Sequence, residues 1–233
     1  MFVTGRAAFA VASVLVLAAG GVAGCSSSDN PSPAPTNTVD ATTMRGALLQ
    51  ANEIGPTWTS PDASADPNQM DSICGGTSTP PPVPPGATVV AAPFVDEGDS
   101  GAQTLDQTAL VYPSESAATA AQTALRAAAD NCPATVSVPT TVNDTKAEPA
   151  YTETVQIEPL KQDPWSGFAV IRHKKYEPKH PGTADTAVAI LTTRNVVLVE
   201  TYAIYRLNNA SPSPSFNSDW TRLVGSVVQR VGQ

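Results

Sequence analysis

Both histidines of the chain fall in one basic cluster, His173-Lys174-Lys175-Tyr176-Glu177-Pro178-Lys179-His180. Two imidazoles and the lysines Lys174, Lys175 and Lys179 beside a tyrosine can hold a phosphate or an acidic glycan group through charge-assisted hydrogen bonds. The same residues also describe a solvated hairpin rim. As a metal site the cluster lacks further ligands, and its lysines repel a cation. A serine or cysteine nucleophile would need one of these histidines as its base. The chain has no G-x-S-x-G elbow, no H-E-x-x-H, no phosphate-binding loop and no G-x-G-x-x-G.

Asp96, Glu97 and Asp99 raise the question of calcium. Their spacing is not that of an EF-hand loop and no glutamate closes it, so they read as a hairpin turn. Trp58 and Trp165 lie in Gly/Pro-rich surroundings and suit either a sugar-stacking platform or plugs at the edge of a core. A carboxylate pair for glycoside hydrolysis cannot be picked from 21 acids by sequence. The expectation is a non-catalytic protein with no cofactor and no metal.

The cysteines divide by chemistry. Cys25 follows Val22-Ala23-Gly24, a small-residue cleavage site resembling the bacterial lipobox. Before it come a short basic start, with Arg6 its single cation, and an apolar run over residues 7–19 that is too short to span a bilayer stably. A thiol at a new N-terminus can take a diacylglyceryl group as a thioether. Two acyl chains, at roughly 0.8 kcal/mol per buried methylene, make such an anchor effectively permanent. Cys74 and Cys132 remain as an even pair in an oxidising compartment and are expected to form one disulfide. A plain signal peptide cut elsewhere is the alternative for Cys25, and free thiols the alternative for the pair.

The elements that must position these groups follow from periodicity. A helix is expected from Met44 to Gly55, capped by Thr42 or Thr43 and stopped at Gly55-Pro56. Residues 75–86, rich in Gly and Pro, read as a rigid connector. Residues 87–95 and 103–112 form a hairpin around the acidic turn. An alanine-rich helix capped by Ser114 runs to Asn131 with Ala117, Ala121, Ala124, Leu125 and Ala128 as its apolar stripe, and delivers Cys132. Strands are expected over 151–159, 167–174, 186–193 and 196–206, with Arg194-Asn195 turning between the last two. The final helix carries Trp220, Leu223, Val224, Val227, Val228 and Val231 at helical spacing, with Asn217 or Ser218 as cap. The fold class is α+β: a mostly antiparallel β-sheet packed by helices on one side, a single domain with one disulfide.

Residues 1–24 read as a lipoprotein signal peptide, 25–41 as a lipidated, disordered Pro-rich tether, and 42–233 as the domain. Such a tether reaches about 50 Å in the polyproline limit. The net charge of −8 excludes a nucleic-acid footprint and disfavours anionic lipid surfaces. The 22 prolines imply long loops, and the composition resembles that of proteins from a high-GC actinobacterium.

Several segments together resemble a known family. They are LLQANEIGPTW (48–58), the first cysteine at Cys74, ALVYPSESAATAAQTALRAAADNC (109–132), TTRNVVLVETY (192–202) and DWTRLVGSVVQRV (219–231). In order and kind they resemble the extracellular sensor domain of mycobacterial serine/threonine kinases of the PknH type, which also occurs in free-standing lipoproteins. The resemblance spans residues 42–233. It implies an antiparallel sheet flanked by helices, with a cleft for an extracellular ligand. Two departures bear on that cleft: the cysteines of a second disulfide are missing, and Ala127-Ala128-Ala129 stands where a tryptophan is usual. No ligand residue carries over.

The partners expected are the membrane, through the lipid, and an unknown extracellular small molecule or envelope protein. A protein–protein adaptor in cell-wall assembly is the alternative, and an envelope hydrolase a third. The localisation expected is the extracellular face of the cell membrane.

Overall fold

Clean alternation along residues such as Tyr151, Glu153 and Val155 builds strands that bury one side. Runs such as AVAIL and VVLV build strands buried on both. The computed structural model describes residues 38–61, 69–99, 101–143, 146–209 and 211–231; Cys25 and the leader lie outside the described residues. The chain order is α1 (Ala41–Ala47), α2 (Ala51–Ile54), β1 (Thr88–Gly98), β2 (Gly101–Val111), α3 (Glu115–Asp130), β3 (Thr135–Val138), β4 (Thr141–Asn143), β5 (Lys146–Glu148), β6 (Tyr151–Gln162), β7 (Trp165–Tyr176), β8 (Gly182–Thr193), β9 (Val196–Leu207) and α4 (Phe216–Val231). Seven strands form one sheet in the order β1-β2-β9-β8-β7-β6-β3, every neighbour antiparallel, and β4–β5 make a small side hairpin. The α+β class, the antiparallel sheet and the Cys74–Cys132 disulfide are as expected.

Helices cover both faces of the sheet, not one. On one face α1 and α4 pack on Leu105, Ala109, Ala169, Ala189, Leu198 and their neighbours. On the other, α3 lies over Phe168, Val170, Val188, Ile190, Val197 and Val199. The strands at the sheet centre are apolar on both sides because both sides are covered. Within α4, Trp220, Leu223, Val224, Val227, Val228 and Val231 are all buried, as their spacing predicts. Truncating one of them, Leu223→Ala, should cost about 2–5 kcal/mol. The α3 stripe is rotated from the expected one: Ala118, Ala121, Leu125 and Ala129 are buried, while Ala124 faces solvent.

The helix expected over 44–55 is broken in two, and the cause is a side chain from the sheet. Buried Gln107 on β2 accepts from the Leu49 amide at 2.8 Å and donates to the Leu49 carbonyl at 3.2 Å. That amide takes both backbone groups, so Leu48 is extended and α2 restarts behind a Gln50–Glu53 capping box. Asp40, rather than Thr42 or Thr43, caps α1 by accepting from the Thr43 amide at 2.7 Å.

The packed domain also begins before Thr42. Val39 is buried, and Asn195 in the β8–β9 turn accepts its N–H and donates to its carbonyl. At the far end α4 starts at Phe216, so Asn217 and Ser218 sit inside its first turn instead of capping it. Phe216 is drawn in because its ring stacks on Tyr202, with centroids 6.0 Å apart. Strands β3, β4 and β5 lie in a Pro/Thr/Asn-rich stretch ahead of the strands expected from periodicity. No helix among the described residues is long and apolar enough to cross a membrane.

Candidate functional site

Antiparallel register lays the α3 face out as a lattice. Pro93, Asp106, Thr201, Val188 and Val170 form one row across five strands; Val95, Thr104, Ala203, Thr186 and Arg172 form the next. Helix α3 covers the apolar rows towards Val199 and Ile190. Beyond it the rows turn small and polar, and Ala184, Ala203 and Tyr205 are only half-buried.

Residues 69–76 cross this face beside α3 as a strap. At one end Met70 and Asp71 stand over Asp106. At the other the Gly76 amide donates to Glu153 Oε2 at 2.7 Å, and Glu153 pairs with Arg172 at 3.5 Å. Cys74 ties the middle of the strap to Cys132 at the end of α3. Gly75, at φ +68°, lies so close that a Cβ there would strike the Arg172 and Glu153 side chains.

Between strap and sheet is a recess with about 50 Å³ of free space, lined by Met70, Asp71, Pro93, Asp106, Thr108 and Thr201 among others. Its electrostatics are uneven. Burial, with Asp71 adding like-charge repulsion, pushes the Asp106 carboxyl up to about 7. Thr201 is 6% exposed and its hydroxyl has no partner among the described residues. Arg172 Nε on the same face is buried without a partner as well. Burial holds the Arg172 guanidinium below its usual range, against the opposing pull of Glu153, Asp71 and Tyr151. Unsatisfied buried polar groups cost about 1–3 kcal/mol each; the α4 face holds them too, at Trp165 Nε1 and Glu200, and what sets the Thr201 hydroxyl apart is that its residue lines a recess.

The basic cluster is divided between the two faces of β7, because successive strand residues point opposite ways. His173 Nδ1 lies 2.8 Å from Asp185 Oδ1, and its ring meets Phe216 edge-on on the α4 side. Lys174 turns to the α3 side, 3.0 Å from Glu148 Oε1 and 4.0 Å above the Tyr151 ring. Lys175 is exposed and borders a groove of about 580 Å³ with Val138, Pro139, Tyr151 and Tyr176. Lys179 and His180 sit exposed in the β7–β8 turn, with His180 3.9 Å from Glu177.

Trp165 is fully buried and half-buried Trp58 packs against the same core, so the pair plugs the core and forms no sugar platform. Asp96 and Glu97, expected in the turn, are paired with Gln103 and Ala102 inside β1, and Asp99 alone of the three lies in the turn. No group of three or more His, Cys, Asp or Glu among the described residues is placed to hold a metal ion.

Sequence reasoning missed Asp106, Thr201 and Asp71. A signal existed for the first: Asp106 interrupts a strand on the face that also carries Thr108 and Leu110, where a carboxylate must either pair or be neutralised. Glu200 is a second such interruption, on the opposite face. Neither of its oxygens has a partner among the described residues, and burial pushes it up to about 8.

No protein-family profile matches the chain, and no curated protein matches it at a significant level. Among solved structures it is similar to the extracellular domain of PknH from Mycobacterium tuberculosis, with a TM-score of 0.52 and 17% identity, covering 84% of this chain and 98% of that one. The shared property is the fold.

Proposed function

We propose that this chain is a cell-envelope lipoprotein, held at the outer face of the membrane through Cys25, whose domain binds an extracellular ligand and does not turn it over. One observation carries the reading. A strap tied down by a disulfide covers a recess into which Asp106 and the unpartnered Thr201 hydroxyl face. Groups of this kind are retained where a ligand completes them. The fold shared with an extracellular kinase domain supports placement outside the cell, and the lipobox-like run ending at Cys25 supports the anchor. The native partners are the membrane, through its lipid, and a small envelope molecule.

The adaptor reading draws on a different place, the open groove beside Tyr151 and Tyr176 with Val142 exposed nearby. A hydrolase would draw on the Asp71 and Asp106 carboxylates or on the His173–Asp185 pair. The recess of about 50 Å³ is too small for a sugar ring with a water. No serine hydroxyl bonds the His173 imidazole among the described residues.

Native mass spectrometry on the full-length protein, extracted in detergent from its own envelope, tests the binding reading. The expected result is a reproducible extra mass that is lost in Asp106→Leu. Bare protein, with crosslinking that instead traps a protein at the Tyr151 groove, contradicts it in favour of the adaptor.

A further inference from the structure

Resting on that binding reading, we infer that the recess takes a primary ammonium group on an unbranched aliphatic stem. The local charge balance comes first. Asp71, Asp106 and Glu153 lie along the strap, and the Arg172 guanidinium on the same face is already engaged by Glu153. The site is short of positive charge in a protein that is acidic overall.

Donor and acceptor numbers come next. An alkylammonium has three N–H donors and no acceptor. The recess offers the Asp106 and Asp71 carboxylates and the Thr201 and Thr108 hydroxyls as acceptors, and of these Thr201 is buried and has no partner among the described residues. Calcium fits poorly, because it seeks six to eight oxygens and gathers several carboxylates. A phosphate or carboxylate ligand would face two like charges.

Shape agrees with charge. About 50 Å³ holds an ammonium with its first methylenes and little more. Met70, Pro93 and Val199 line the same recess and suit a hydrocarbon stem leading outward. The bound cation would sit beside Asp106 and relieve the cost of burying its charge.

Two sources supply this chemistry, a free diamine and a lysine-type side chain on a peptide. The test is isothermal calorimetry on the full-length protein in detergent with cadaverine, Nα-acetyl-lysine amide and, as an uncharged control, 1-pentanol. The expected result is saturable 1:1 binding of an amine with the alcohol silent. Asp106→Asn should weaken it at least tenfold and Thr201→Val severalfold; the near-isosteric Asn and Val keep the fold measurable by circular dichroism. A response to cadaverine alone assigns a free diamine, and a response to the lysine amide assigns a peptide side chain. Amine binding unaltered by both substitutions overturns the assignment. Silent amines overturn it too: if the envelope-derived mass persists, the ligand-binding reading stands without it, and if no such mass is found both fall.

Discussion

Asp106 on β2 and Thr201 on β9 are register partners across an antiparallel pair, and both turn to the sheet face that carries α3. In a covered sheet those positions are ordinarily apolar, as Leu110, Val197 and Val199 are along the same strands. The two polar side chains therefore oppose packing, and the strap is what closes over them. Its attachments are separate: the Cys74–Cys132 disulfide and the hydrogen bond from the Gly76 amide to Glu153.

Reducing Cys74–Cys132 removes the central attachment. With the cysteines separated by 58 positions in sequence, the chain-entropy treatment gives about 4 kcal/mol of lost stability. Urea melts with and without reductant should show it as a lower midpoint, and Cys74→Ser with Cys132→Ser should reproduce it. Equal midpoints would mean the bridge is idle.

Arg172→Ala leaves Glu153 buried with the Gly76 amide as its one partner among the described residues. Breaking a buried pair on one side costs about 3–5 kcal/mol. Chemical denaturation should register that loss. A change below 1 kcal/mol would show that the pair is dispensable.

Stability should fall as pH rises from about 4 to about 8. Asp106, at about 7, and Glu200, at about 8, sit above their unfolded values, so the folded protein holds more protons across that window. The stabilisation is complete below the unfolded values and is lost as pH climbs through the folded ones. His173, raised by its hydrogen bond to Asp185, acts in the same sense. Glu53, lowered by Arg230, acts oppositely below its unfolded value. Melting temperatures at pH 5.5 and 8.5 should differ clearly, and Glu200→Gln should shrink the gap. Wild-type protein that melts higher at pH 8.5 would contradict this.

The proposed anchor has its own test. Cys25→Ser should move the protein from the detergent phase to the aqueous phase in a Triton X-114 partition, and remove acyl label. Retention of the variant in the detergent phase would point to another attachment.

Much of the scaffold was legible in the sequence. Alternation and helical spacing located β1, β2, β6 to β9, α3 and α4, and the parity of the cysteines located the bridge. What was not legible depends on contacts between distant segments. Gln107 splits the first helix by binding Leu49, and nothing local to residues 44–55 announces it. The site is of the same kind, since Asp71, Asp106 and Thr201 come from a loop and two strands and meet only once the register is set. The basic cluster, compact in sequence, is parted because neighbours on a strand face opposite ways.

The most direct test of the central claim is amide hydrogen exchange on the full-length protein in detergent, with and without the small-molecule fraction of its own envelope. The account predicts added protection confined to residues 69–76 and to the strand segments around Asp106 and Thr201. Unchanged exchange there, or protection at the Tyr151–Tyr176 groove instead, would contradict it.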